Sequence, residues 1–242
     1  MLKHKKAVLI AAALAIPGIA AAEDDPIPIS ANLTFTTDYV FRGISQTNEN
    51  AAVQGGFDWE SEPTGIYLGT WGSNVSWTGE EASSVELDVY GGWKKSFGDF
   101  GVDVGLIHYD YPGASGANTD EIYGKGSWKW ITASYYYTVS DDWFGLTDGK
   151  GSGYFNLAAE YGFPMGLSVG GSYGWTMLNG ESGGTSNDTG DYQDYKLYVG
   201  YSYTGLDFQL GYTGTSFDND QVKTDVGAIA DDRGYFSVSK SF

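Results

Sequence analysis

From Asn32 onward the chain alternates in character with period two. Leu33, Phe35, Tyr39 and Phe41 fall on one parity and Asn32, Thr34, Thr36, Asp38 and Arg42 on the other, so an extended backbone puts an apolar set on one face and a polar set on the opposite one. The split recurs at Val53, Phe57 and Trp59 against Gln54 and Asp58, and at Val85, Leu87, Val89 and Trp93 against Glu86, Asp88 and Lys94. It continues through Phe100–Leu106, through Ile122 and Trp128 against Glu121, Lys125 and Lys129, and through Leu157 and Tyr161 against Asn156 and Glu160. Leu197 and Val199 against Asp194 and Lys196, and Phe208 and Leu210 against Asp207 and Gln209, repeat it near the end. The segment 66–77 is strand-like without a clear face. With the closing segment 234–242, the pattern predicts about twelve strands of a length that crosses a bilayer when tilted, and no helical period competes with it.

The links between these segments alternate in length. Short ones fall at 61–65, 95–99, 129–130, 163–166 and 204–205, and longer polar ones at 44–50, 78–83, 112–120, 140–152, 179–191 and 214–232. An even number of antiparallel strands with short turns at one end and long loops at the other is expected to be an up-and-down transmembrane β-barrel with short periplasmic turns and longer extracellular loops. In that fold the polar face is the lumen. The candidate pore-lining residues are therefore Asp38, Arg42, Gln54, Asp58, Glu86, Asp88, Glu121, Lys125, Glu160, Asp194, Lys196, Asp207 and Arg233. Asp38 and Arg42, read as members of the first strand, are expected to meet cross-strand partners such as Asp58 and Gln54 on the next strand or Arg233 and Tyr235 on the closing one. Tryptophans 59, 71, 77, 93, 128 and 175 are read as interfacial girdles on the lipid face.

The start of the chain changes the picture in one respect. MLKHKKAVLIAAALAIPGIAAAEDD has a basic opening, a short apolar core and small residues before Glu23, the pattern of a cleaved secretory signal peptide over residues 1–22, with the barrel domain at 23–242. Loss of Lys3, Lys5 and Lys6 leaves 10 basic against 31 acidic residues, a net charge of −21, which argues against nucleic acid as a partner. Tyrosine (19), tryptophan (8) and glycine (36) are abundant, which fits strands facing an interface and joined by tight turns.

Candidate chemistry is sparse. No cysteine is present and His108 is the one histidine after the signal, so neither a transition-metal site nor a hydrolytic triad is expected, and no cofactor is assigned. His108 reads as an interfacial ring near the outer rim. The DNDQ stretch, 218–221, lacks the glycine and closing glutamate of a calcium loop, and GLTDGKGSG, 145–153, lacks phosphate-loop spacing. A terminal Phe242 closing an alternating strand is similar to the signal read by the outer-membrane assembly machinery, with Lys240 departing from it.

The segments DYVFRGISQT, IYLGTWGSNV, YDYPG and the ending SVSKSF resemble the TorF-type porins, a Gram-negative outer-membrane family long carried as proteins of unknown function. The resemblance covers essentially the whole mature chain and implies an outer-membrane barrel with a pore role. It places Asp38, Arg42, Gly43 and Ser45 in the family signature and carries over no catalytic or ligand residue. The expected function is passive diffusion of small solutes or ions, cations preferred, with outer-membrane lipid, lipopolysaccharide and the assembly machinery as partners. The alternatives are a non-conducting barrel with a structural or adhesion role, a barrel hydrolase, and a secreted sugar-binding β-sandwich.

Overall fold

The computed structural model describes residues 28–77, 82–179, 181–182, 185–186, 190–216 and 229–242. The signal segment 1–22, the DNDQ stretch and the loop carboxylates Glu80, Glu81, Asp188, Asp218 and Asp220 lie outside the described residues. Twelve strands form one closed barrel. In chain order they are β1 (Ile29–Thr36), β4 (Ala52–Ser61), β5 (Ile66–Asn74), β6 (Val85–Phe97), β7 (Phe100–Asp110), β8 (Thr119–Trp128), β9 (Ile131–Thr138), β10 (Gly153–Gly162), β11 (Leu167–Met177), β14 (Tyr192–Tyr203), β15 (Leu206–Thr215) and β16 (Arg233–Ser241). Two-residue strands β2 (Val40–Phe41) and β3 (Ile44–Ser45) form a separate hairpin, and β12 (Glu181–Ser182) pairs with β13 (Thr185–Ser186).

Every barrel strand pairs antiparallel with its chain neighbour, and β1 closes the sheet by pairing β4 on one side and β16 on the other. Thr34 marks the closure, opposite Gln54 and Ser239, with its hydroxyl 2.8 Å from that of Ser239. Closure leaves no edge strand whose N–H and C=O groups would go unpaired in hydrocarbon. Turns of a few residues join strands at one end (62–65, 98–99, 129–130, 163–166, 204–205), and the strand ends that lead into the longer connections lie at the other.

Alternation sorts the side chains as their polarity requires. Leu33, Phe35, Phe57, Leu68, Leu106, Leu197 and Leu210 stand exposed on the outer wall, while Thr36, Glu86, Glu121, Thr138 and Asp194 are buried inside. An apolar band of that extent suits hydrocarbon and not water. Segment 66–74 resolves with Ile66 and Leu68 outward and Tyr67 and Ser73 inward.

Two sequence expectations are corrected. The first strand ends at Thr36, so Asp38, Tyr39 and Arg42 do not belong to it. The Thr36 hydroxyl donates to the Asp38 carbonyl at 2.8 Å, and the Asp38 carboxylate accepts from Ser45 (2.6 Å) and Thr47 (3.0 Å), which doubles the chain back. Arg42 and Gly43, at φ of 48° and 82°, make the two-residue turn between Phe41 and Ile44, a conformation for which glycine at the second position is well suited. The alternation of 39–42 thus belongs to a loop hairpin and not to the wall. Trp71 and Trp77 likewise leave the girdle. Trp71 packs inside with Tyr39 (ring centroids 5.4 Å apart) and the Tyr67–Tyr90–Tyr123 cluster, and Trp77 stacks on Tyr111 at 4.2 Å.

Candidate functional site

The hairpin carried by residues 37–50 folds into the long-loop end of the barrel and crosses its interior. Its Arg42 reaches the far wall, where Nη1 and Nη2 donate to Oε1 and Oε2 of Glu121 at 3.0 and 2.6 Å. Glu121 on β8 is fully buried, and Arg42 is nearly so. The carboxylate also accepts from the Tyr109 hydroxyl at 3.2 Å and lies 3.5 Å from that of Thr138. Rings surround the guanidinium: its Cζ lies 4.5 Å from the Tyr154 centroid, 4.7 Å from Phe41, 5.3 Å from Tyr136 and 5.8 Å from Phe144. A planar cation held by a two-point fork and stacked on aromatic faces is the arrangement in which arginine is least replaceable by lysine.

The base of the hairpin is held separately. Arg233 Nη1 lies 3.4 Å from Asp38 Oδ2 and 3.6 Å from Glu49 Oε1, and Gln46 accepts from the Trp77 indole at 3.0 Å. Tyr39 and Tyr111 lie beside Glu86, and burial, followed by that carboxylate's charge, holds both phenols well above the ordinary tyrosine range.

The interior is built from a repeated unit, found toward the short-turn end at Tyr67, Tyr90 and Tyr198 and at the long-loop end at Tyr154. A tyrosine on one strand leans over a glycine on the next and donates to a carboxylate on the one after. Tyr90 (β6) crosses Gly69 (β5) to Asp58 (β4) at 2.6 Å, and Tyr67 (β5) crosses Gly92 (β6) to Asp103 (β7) at 2.6 Å. On the opposite wall Tyr154 (β10) crosses Gly174 (β11) to Asp194 (β14) at 3.2 Å, and Tyr198 (β14) crosses Gly170 (β11) to Glu160 (β10). A Cβ on any of these glycines would lie less than 3.0 Å from the tyrosine. Glycine is required here for the close approach of a ring and not for its backbone freedom.

The remaining candidates fall around this frame. Gln54 reaches the Ser73 hydroxyl at 3.4 Å, and Glu86 accepts from Tyr111 at 3.0 Å. Asp88 is buried beside Glu86, and Lys125 lies 3.6 Å from Asp103 and 4.6 Å from the Tyr123 ring. Lys196 sits 5.4 Å from both the Tyr198 and Tyr235 centroids. Asp207 is exposed at the short-turn rim with the Ser202 hydroxyl 2.5 Å away. Asp103, Glu60 and Lys94 join them: Lys94 and Glu60 are paired at 2.7 Å. All three follow from the parity of Asp58, Asp88 and Val102, a signal present in the sequence. His108 stands on the outer wall, 2.8 Å from Asp120 and away from this interior.

A family model described as a bacterial protein of unknown function, Gcw_chp, matches residues 20–242. The chain belongs to that family. No curated protein matches it. Among solved structures the Gcw_chp chain is similar to the KdgM porin (TM-score 0.56, 10% identity, 88% of this chain and 99% of that one). It is also similar to the NanC porin (TM-score 0.54, 11% identity, 88% and 98%) and to the KdgM porin in complex with disordered oligogalacturonate (TM-score 0.53, 10% identity, 88% and 98%). At such identity the likeness is one of fold: a closed barrel of porin type.

Proposed function

We propose that this chain is an outer-membrane channel of the TorF type, exported by cleavage of residues 1–22 and inserted as the barrel domain 23–242. In this reading its resting lumen is shut towards the outside by the 37–50 hairpin. Outer-membrane lipid and lipopolysaccharide surround it, and the assembly machinery inserts it by its terminal strand. Small ions or solutes, cations preferentially, cross passively when the hairpin withdraws, without catalysis or energy coupling.

The observation that carries this reading is the Arg42–Glu121 pair. The closure across the mouth is made by a loop, so withdrawing its tip breaks one ion pair and some ring contacts, and no hydrogen bond of the barrel ladders. Behind the hairpin the charged pairs Lys94–Glu60 and Lys125–Asp103 keep about a quarter to a third of their side-chain surface accessible, which suits a wet vestibule. The KdgM porin has been solved with an oligogalacturonate, a uronic-acid polymer. An interior richer in carboxylates than in cations argues against a polyanion as the solute here.

The interlocking of the same charges favours one rival, the non-conducting barrel. Planar-bilayer recording separates them. The intact protein should give small or infrequent openings, and a variant with 40–45 replaced by a Gly-Ser link should conduct several-fold more. Silence of both proteins would leave the non-conducting barrel.

A further inference from the structure

We infer that the pocket occupied by Arg42 is a recognition site for guanidinium-bearing solutes, which the hairpin fills with a tethered stand-in. The inference deepens the channel reading and rests on it for its physiological meaning, but the binding site can be tested without it.

The wall, and not the hairpin, supplies nearly all of the pocket. Glu121 comes from β8, Tyr109 from β7, Tyr136 from β9, Tyr154 from β10 and Phe144 from the connection after β9, while the hairpin contributes Phe41 and the cation itself. Glu121, Tyr109, Tyr136 and Tyr154 therefore remain in their strands when the hairpin leaves. What is then exposed is a carboxylate that the Tyr109 hydroxyl holds in orientation, each oxygen keeping an acceptor position for a two-point donor, with the Tyr136 and Tyr154 rings beside it. The spacing of the two bonds, 3.0 and 2.6 Å, fits the planar fork of a guanidinium. A hydrated potassium ion or a primary ammonium offers no such fork, and weakly hydrated guanidinium loses less on entering a ring-lined site. A loop needing only mechanical closure would be served by apolar packing. A buried arginine paired to a fully buried carboxylate is costly to desolvate, and here its place is one a solute of the same chemistry would fill.

The test uses the full-length protein folded in detergent, with methylguanidinium as probe and propylammonium as control. Two proteins carry the vacated pocket: R42A, and the variant with 40–45 replaced by Gly-Ser, which removes the hairpin's occupancy even where R42A leaves the loop in place. Retention of a heat-shifted gel band shows that each barrel is closed. Calorimetry or ligand-observed NMR should show saturable methylguanidinium binding to the vacated barrels at millimolar or lower concentration, with propylammonium at least about tenfold weaker. Binding should be lost when E121Q is added, and the intact protein should bind neither probe. Absence of binding to the folded vacated barrels, equal binding with and without Glu121, or equal affinity for both cations would each overturn the inference. Binding to a barrel that is silent in bilayers would retire the channel and keep the site, whereas conductance without binding would do the reverse.

Discussion

Arg233, the first residue of the closing strand β16, lies 3.4 Å from Asp38 and 3.6 Å from Glu49, at the two ends of the 37–50 hairpin. One guanidinium thus fastens the root of the hairpin to the seam of the barrel, while a second, Arg42, fastens its tip to the opposite wall. The two attachments differ in consequence. Loss of the tip contact should loosen the hairpin from the wall, whereas loss of the root contact would leave Asp38 with its hydroxyl partners, Ser45 and Thr47.

The tip contact should obey the rule for buried ion pairs. E121A leaves Arg42 charged and unpaired and should destabilise the closed hairpin by about 3–5 kcal/mol, while the paired replacement R42M/E121L should cost far less. Limited proteolysis within 37–50 reads this directly: rapid cleavage in E121A and near-native resistance in the double variant.

The tyrosine units predict a specific non-additivity. G170A pushes a methyl into the Tyr198 ring and should cost about 1–3 kcal/mol in urea unfolding of the detergent-folded barrel. Y198A relieves the clash, so G170A should cost little when added to it, giving a coupling of about 1 kcal/mol or more. Additive effects would show that the ring can move aside.

Facing should be visible in assembly. Arginine at Phe35 places a charge in hydrocarbon at a cost of up to about 2–4 kcal/mol near mid-membrane, and glutamine at Thr34 points inward and should be tolerated. The fraction of heat-shifted barrel on unheated gels gives the comparison. Arginine at Tyr39, which the alternation puts into lipid, should instead disturb the packing against Trp71 inside the mouth.

Alkali should release the hairpin. Tyr39 has a folded-state pKa raised above its unfolded value of about 10, so its stabilising contribution is complete below that value and declines as pH rises beyond it. Protease sensitivity of 37–50 should therefore increase above about pH 10, and Y39F should lessen that increase.

Ion preference is open to a direct measurement. Asp58, Glu86, Asp88, Asp103, Glu121, Glu160 and Asp194 outnumber the lysines and arginines inside the barrel. Reversal potentials under a KCl gradient should favour cations, and more strongly at 0.1 M than at 1 M, where the Debye length falls from about 10 to about 3 Å. An anion preference at low salt would show that Arg42 and Arg233 govern the constriction.

The barrel was legible because a two-residue period survives wherever one face meets lipid, as at Leu197, Val199 and Leu210. The hairpin was not, because Tyr39 and Phe41 keep the same period although they pack inside, and only the Arg42-Gly43 turn marks the departure. Trp71 misled for a related reason: an aromatic ring is equally at home in a girdle and in a lumen lined with other rings. The acids could be assigned to the interior by parity, but their partners could not. A tyrosine reads as an apolar residue in an alternation count, and its hydroxyl finds a carboxylate two strands away, a distance that no local pattern encodes.

The reach of the tyrosines bears on how the barrel is put together. A hydroxyl on one strand that ends on the second strand beyond it cannot find its acceptor until three strands lie side by side, so each such bond verifies an alignment that a single hairpin cannot. A slip of one residue would turn the ring to the lipid side, and a slip of two would set it over a residue bearing a side chain in place of the glycine. The interior of this protein thus carries a check on its own register.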